Sequence, residues 1–298
     1  MAPVFKQYDQ ERDYARVSAL LTETYVPGMR TGNWLEPRWE YMHYHPNLDE
    51  ASLDRIGVWE HDGMLVAVAH YEHALGEAFF QVRPGYESLK ETLVDYAESS
   101  LYEVPDKGLK RLNLIINDFD HRMAQTAERK GYVKTESPLW ESCYWIRHPL
   151  PEIRLPAGFA LMSLEQQCDV QKVHRVMWRG FGHSGEPPAE GIAWRERKMS
   201  APNFRHHLTM VTLAPNGDYA SFCGMWYDTT NKFCYVEPVA TDPDYRRMGL
   251  GAAVVLSSIG RASELGAEVA YVGSGQPFYE ALGFKKMFKA HRWNKQWR

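Results

Sequence analysis

Along the second half of the chain the apolar positions change their spacing in a definite order. Apolar runs occupy residues 207–213, 219–227 and 233–241, with turn signals between them at Pro215-Asn216-Gly217 and Thr230-Asn231. Runs of this length bounded by Asn-Gly and Thr-Asn turns predict successive antiparallel strands. From Gly251 the period changes, and Ala252, Val255, Leu256, Ile259 and Ala262 recur at helical spacing until Gly266, which is placed to stop the helix. A strand at 269–272, a short helix opening near Pro277 and a closing strand pair within 288–297 complete the pattern. In the first half, residues 111–116 are rich in strand-forming residues, and Leu89, Leu93, Ala97 and Leu101 form one helical stripe. The expected fold class is α/β, with a mixed, mostly antiparallel sheet and flanking helices.

The pattern is used twice. Residues 4–21, a short extended stretch leading into a helix, are echoed by residues 160–177, which places Asp13 opposite Asp169. A second echo sets Ala127-Glu128-Arg129-Lys130-Gly131-Tyr132 against Tyr279-Glu280-Ala281-Leu282-Gly283-Phe284. The two echoes agree in order and offset, which points to tandem domains. Between them lies the proline-bearing stretch His148-Pro149-Leu150-Pro151 through Leu155-Pro156, a stiff non-helical connection. The expected domains are therefore 1–151 and 152–298.

Composition narrows the function classes. Hydrophobic residues are 44% and charged residues 24% of 298, enough to fill two cores. The formal charge is -4 and no basic run tracks a phosphate backbone, so nucleic acid is not an expected partner. Apolar runs fall short of the roughly 18 to 20 residues of a membrane span, and the acidic, interrupted start does not read as a signal peptide, so a cytoplasmic protein is expected. Cys143, Cys168, Cys223 and Cys234 form no CxxC pair and are expected as free thiols. His43 with His45, and His206 with His207, lack both ligand spacing and acidic or cysteine partners, so no metal is expected.

The most informative stretch is Val239-Ala240-Thr241-Asp242-Pro243-Asp244-Tyr245-Arg246-Arg247-Met248-Gly249-Leu250-Gly251, which joins a strand to the amphipathic helix. Glycines at such a turn let backbone N–H groups approach an anion, and the helix N-terminus adds partial positive charge. A pyrophosphate fits that description. The stretch is neither a Walker loop nor the Rossmann fingerprint. It resembles the acetyl-CoA loop of the GNAT N-acetyltransferase superfamily, Arg/Gln-x-x-Gly-x-Gly/Ala, in the form Arg246-Arg247-Met248-Gly249-Leu250-Gly251. Phe278-Tyr279-Glu280-Ala281-Leu282-Gly283-Phe284 is similar to that family's second signature. Upstream, Pro238 removes a ladder donor within its strand; the family splays its fourth and fifth strands here to admit the pantetheine arm.

The resemblance implies an acetyl-CoA-dependent N-acetyltransferase acting directly on a primary amine, with a small-molecule acceptor expected. It implies Tyr279 as general acid for the departing thiolate. It also implies cofactor binding by Val239, Ala240, Thr241, Arg246, Arg247, Met248, Gly249, Leu250, Gly251 and Ala252, with backbone donors foremost. Glu237, beside Pro238, is the candidate base for the amine, or a carboxylate that only pairs with an ammonium. Gly180 to Pro188 lies where the family builds its acceptor wall, and Trp178, Trp194 and Trp226 are candidates for an apolar acceptor pocket or for core. Cys234 has no evident His partner, so no acyl-enzyme is expected. The first half carries Gln81-Val82-Arg83-Pro84-Gly85-Tyr86-Glu87-Ser88-Leu89 at the loop position and Ala127 at that of Tyr279, and reads as a degenerate domain. A non-catalytic acyl-CoA-binding or sensing protein, and an acyltransferase using another acyl-CoA, stay open, as does the choice between monomer and homodimer.

Overall fold

The computed structural model describes residues 2–29, 31–105 and 108–298. The chain forms two compact units, residues 1–140 with 287–298 and residues 141–286. The first begins with β1 (Val4–Gln7), α1 (Gln10–Glu23) and α2 (Glu36–His43). Then come β2 (Gly57–His61), β3 (Met64–His70), β4 (Glu77–Val82), α3 (Lys90–Ser100), β5 (Lys110–Asn117), α4 (His121–Arg129) and β6 (Val133–Trp145). Strands β1 to β4 pair antiparallel in sequence order, and β4 meets β5 in parallel at Glu77–Asn113 and Ala78–Leu114. Trp39, Val58, Val68, Leu93, Leu112 and Leu114 lie in one core, each fully buried.

The second unit contains β7 (Ala160–Ser163), α5 (Val170–Gly180), α6 (Gly191–Met199), β8 (Met210–Leu213), β9 (Tyr219–Asp228) and β10 (Phe233–Thr241). It continues with α7 (Leu250–Glu264), β11 (Val269–Val272) and α8 (Pro277–Leu282). Strands β7, β8, β9 and β10 pair antiparallel, β10 and β11 pair in parallel, and residues 142–145 of β6, which belong to this unit, pair antiparallel with β11. Every residue of β9 is buried, because this central strand has neighbours on both edges and helices against it. Helix α7 buries Val254, Val255, Ile259 and Ala262 in the core; of the stripe expected from its spacing, Val255, Leu256, Ile259 and Ala262 are buried and Ala252 is half-buried.

Four expectations differ from what is observed. The closing strand pair is one long strand, β12 (Lys285–Trp297), which pairs antiparallel with β5 from Ala290–Asn117 to Trp297–Lys110. Residues 288–297 hold no glycine or proline, and their one turn-prone residue, Asn294, is taken up by β5, donating to Asn113 Oδ1 at 3.0 Å. By joining β5, this strand puts residues 287–298 in the first unit, so the compact units are not the two contiguous halves 1–151 and 152–298. The strand read at 207–213 begins only at Met210, since Leu208 and Thr209 close a turn on Arg205 O. The echo of Asp13 and Asp169 is out of step. Asp169 caps α5, accepting from Lys172 N–H at 3.1 Å, whereas Asp9 caps α1, accepting from Arg12 N–H at 2.9 Å. Asp13 is instead fully buried and paired with Arg12 and Arg16. Among the described residues no helix is long and apolar enough to cross a membrane.

Candidate active site

The site begins with a strand that cannot stay regular. Pro238 has no N–H to give β9, and the β9–β10 register slips between Val236 and Val239. The bulge is held in place from the neighbouring strand: the Trp226 indole N–H donates to Glu237 O at 2.9 Å. Gly224 makes room, because a Cβ there would stand 2.4 Å from the same carbonyl. Trp226 is fully exposed to no solvent at all and packs edge-on against Phe204, so it belongs to the core and to the bulge, not to an open pocket wall.

Strand β11 follows β10 for only three pairs, Phe233–Val269 to Tyr235–Tyr271. Beyond Tyr235, β10 continues to Thr241 while β11 ends at Val272, so the two strands part at the bulge. Val239, Ala240 and Thr241 pair with Cys223, Phe222 and Ser221 on the β9 side, which leaves their other edge facing the opening.

At the end of β10 the chain makes a short turn at 243–245 and enters α7 through Arg247 and Gly249, both at positive φ (65° and 80°). Gly249 is the N-cap and has no side chain to satisfy the first helical amides. The first α7 bond of this end runs from Ala253 N–H to Gly249 O, so the amides of Leu250, Gly251 and Ala252 precede the helical ladder. Exposed Arg247, Met248 and Gly249 border this end, Leu250 and Gly251 are buried, and Ala252 is half-buried. The arrangement suits an anion held by backbone donors. Arg246 is used differently: its guanidinium donates to Gly180 O at 2.9 Å and Thr241 O at 3.3 Å, tying the loop to the end of α5.

Tyr279 lies in the first turn of α8 and is 8% exposed, its ring edge-on to Phe278 and Phe284. Its hydroxyl has no hydrogen-bond partner among the described residues. Burial raises the phenol's pKa above its usual value, with the charges of Cys223 and Glu237 pushing the same way. Tyr279 is therefore a neutral phenol close enough to Glu237 to feel its charge. Lys198, on α6, was not foreseen: it is 4% exposed, burial holds its pKa well below a lysine's usual value, Arg195 lowers it further, and Glu237 opposes both. Burial also pushes the Cys223 thiol up to about 12 and raises Cys234, so neither offers a thiolate at neutral pH.

On the α5 side, Trp178 stacks on His183 (ring centroids 4.1 Å apart) and donates to Ser184 O, while Trp194 is half exposed. His43 donates or accepts within the first core, bonded to Tyr8 and to Trp39 O. Among the described residues no group of three His, Cys, Asp or Glu side chains is placed to hold a metal ion.

The first unit has a comparable opening and fills it with its own chain. Beyond Ala78, β4 leaves β5, and Asn33 enters there: its carboxamide accepts from Val82 N–H at 2.9 Å and donates to Val82 O at 3.2 Å. From the β5 side Asn117 donates to Gly32 O at 3.0 Å. At the loop, both Glu87 carboxylate oxygens accept from Gly85 N–H, at 3.0 and 3.1 Å. A carboxylate thus already occupies the loop amide.

Residues 170–284 match the model of the acetyltransferase (GNAT) family. No curated protein sequence matches the chain. Among solved structures, a GCN5-related N-acetyltransferase from Sphaerobacter thermophilus aligns over 99% of this chain and 95% of its own, with 14% identity and a TM-score of 0.64. A tandem GNAT protein from the clavulanic acid biosynthesis pathway aligns over 99% and 98%, with 12% identity and a TM-score of 0.60. An N-myristoyltransferase from Saccharomyces cerevisiae, solved with bound myristoyl-CoA, aligns over 98% and 79%, with 13% identity and a TM-score of 0.57. Residues 170–284 thus match the GNAT acetyltransferase model, and the fold of GNAT proteins, tandem ones among them, extends over essentially the whole length of the chain.

Proposed function

We propose that this protein transfers the acetyl group of acetyl-CoA directly to the primary amine of a small-molecule acceptor, at the opening between β10 and β11. The observation that carries the reading is the meeting of three features in one unit: the open amides at the start of α7, the bulge bearing Glu237, and the buried neutral phenol of Tyr279 within reach of Glu237's charge. In this mechanism the pyrophosphate binds the Gly249–Gly251 amides and the pantetheine runs along the free edge of Val239, Ala240 and Thr241. The amine nitrogen attacks the thioester carbon and gives its proton to Glu237. As the carbon–sulfur bond breaks, Tyr279 donates a hydrogen bond and finally a proton to the sulfur, leaving the amide and free CoA. The two buried thiols with raised pKa support direct transfer over an acyl-enzyme. Four free cysteines suit a reducing, cytoplasmic setting, and the net charge of -4 argues against a nucleic-acid acceptor.

A panel of amines incubated with acetyl-CoA, read by release of free CoA, tests the reaction; parallel reactions with longer acyl-CoAs test the donor. Silence against every amine class, with acetyl-CoA still bound, would favour a binding or sensing protein. Replacing Glu237 with Gln keeps the shape and removes the charge. If Glu237 is the base, the variant loses the acidic limb of kcat/KM and about 10² or more in rate. A rise in acceptor KM with kcat preserved would assign it to holding an ammonium instead.

Only the second unit is expected to bind acyl-CoA. In the first, Asn33 holds the Val82 backbone groups and Glu87 the loop amide, so a ligand would have to displace both. Calorimetry should give one acetyl-CoA per chain, and hydrogen exchange at the Val82 amide should be slow with or without ligand. Two equivalent sites would refute this.

A further inference from the structure

The proposed acyl-CoA loop is mostly exposed and holds two residues at positive φ, Arg247 and Gly249. Its conformation has to be imposed from outside. The fixed point before it is Asp242, a fully buried carboxylate whose backbone N–H still bonds Ala220 O in line with the β9–β10 ladder. Arg179, in the last turn of α5, grips it at both oxygens, Nε to Oδ2 at 2.6 Å and Nη2 to Oδ1 at 3.0 Å. The same Nη2 reaches across the turn to Asp244 at 2.7 Å, and Asp242 Oδ1 also accepts from Asp244 N–H at 3.0 Å. Arg175, one turn earlier on α5, stands 3.5 Å from Asp242.

The tie is returned in the opposite direction. Arg246, at the far side of the turn, donates to Gly180 O, the residue next to Arg179. Gly180 itself has to be glycine, because a Cβ would lie 2.7 Å from the Ala240 Cβ and 3.1 Å from Thr241 N. The end of α5 and the start of the loop therefore clamp one another through two arginines pointing in opposite directions. Burial pushes the Asp242 carboxyl up, but the Arg179 hydrogen bonds, the Asp244 amide and the charges of Arg179 and Arg175 outweigh it and hold its pKa below the usual range. The pair is charged at neutral pH.

We propose that Arg179 and Asp242 are positioning residues for the acyl-CoA pyrophosphate: their bidentate ion pair sets the loop from which the Gly249–Gly251 amides meet the anion. Neither side chain touches the ligand in this account. It rests on the acyl-CoA reading of the second unit and adds the cause of that loop's preorganisation. A bidentate guanidinium–carboxylate fork fixes direction as well as distance. A loop released by even an ångström presents its amides to the wrong place, a displacement that costs on the order of 10²-fold elsewhere in enzyme sites.

The test compares two ligands in two variants. Acetyl-CoA carries the pyrophosphate, and S-acetylpantetheine has the thioester arm without it. In wild type the affinity ratio between them measures what the loop contributes. In Asp242→Asn, which keeps the shape and the acceptor for Asp244 N–H, acetyl-CoA affinity should fall at least about tenfold while S-acetylpantetheine affinity stays within about twofold. Arg179→Lys keeps a cation at the buried carboxylate but loses the fork. It should fold even if Asp242→Asn does not, and should show the same selective loss. Equal weakening of both ligands would mean a merely structural role and overturn the proposal, as would unchanged affinities. Wild-type protein that binds neither ligand would remove the acyl-CoA reading and this proposal with it, whereas normal wild-type binding with an unchanged ratio in the variants removes the proposal alone.

Discussion

Gly251→Val is expected to reduce acetyl-CoA affinity by about 10²-fold or more while leaving a folded protein. The two glycines of the loop are glycine for different reasons, and the difference decides which substitution is the stronger probe. At Gly249 a Cβ would meet nothing within 4 Å, but the backbone has φ of +80°, which an L side chain holds at a cost of roughly 1–2 kcal/mol. Gly251 is ordinary helix, and its restriction is space. A Cβ there would stand 2.9 Å from the Thr241 hydroxyl and 3.5 Å from the Phe278 ring, so even alanine forces a shift. Valine adds two branches beyond that point. They would press Thr241, the last residue of the strand edge proposed to carry the pantetheine, and Phe278, the neighbour of Tyr279. Overpacking of this kind costs about 1–3 kcal/mol in stability, tolerable in a unit with this much buried surface. Calorimetry on the purified variant, with its melting temperature as control, checks the result. Unchanged affinity in a folded Gly251→Val protein would place the anion elsewhere.

The loop was legible in the sequence because everything that makes it is local. A strand, two glycines and an amphipathic helix lie in consecutive residues, and each leaves its own mark in spacing or composition. The helix that carries Tyr279 is legible for the same reason, since Pro277 opens it and Gly283, at φ of 104°, closes it. What supports the loop was not legible. Arg179 and Asp242 are separated by 63 positions, and an arginine near the end of an amphipathic helix looks the same whether it is solvated or paired. Arg246 showed the converse ambiguity. Its place in the motif suggested a ligand to phosphate, while its guanidinium is committed to two backbone carbonyls.

The first unit teaches the same point from the other side. A missing glycine and the acidic Glu87 were visible as losses, but nothing local in Gly32-Asn33-Trp34 indicates that this segment lies between β4 and β5. That placement depends on Val82 and Asn117, both far along the chain. The last strand differs for a related reason: thirteen residues whose one turn-prone residue is Asn294 are equally compatible with a hairpin strand or a long partner, and only β5, whose Asn113 accepts from Asn294, decides between them. For Trp226 the sequence leaves open both an acceptor pocket and the core. Its burial and its bond to Glu237 O instead make it the support of the bulge, which requires Gly224 two residues before it to have no side chain.

Tyr279→Phe should lower turnover by something like 10² to 10⁴ and leave acetyl-CoA affinity nearly unchanged. The ring keeps its packing against Phe278 and Phe284, and the lost hydroxyl has no hydrogen-bond partner among the described residues, so stability should not fall. The chemistry turns on the sulfur. A free thiol has a pKa of about 8.5, lower than that of the buried phenol, so complete proton transfer from Tyr279 to a thiolate is uphill in the resting site. What the phenol offers is a short hydrogen bond to negative charge as it forms on sulfur, in a water-poor cleft where such a bond is worth most. The proton passes fully as the phenolate recovers one from solvent or from the protonated Glu237. The raised pKa also fixes the pH behaviour. The active form is the neutral phenol, its activity is lost only as pH rises through its pKa, and burial with the charge of Glu237 moves that loss upward. Wild type should therefore show no alkaline limb from Tyr279 near neutrality. In Glu237→Gln, with one of the raising charges gone, any alkaline limb should move to lower pH, and in Tyr279→Phe it should vanish. Full activity in Tyr279→Phe, measured with an established acceptor, would remove the phenol from the reaction and leave the sulfur to water.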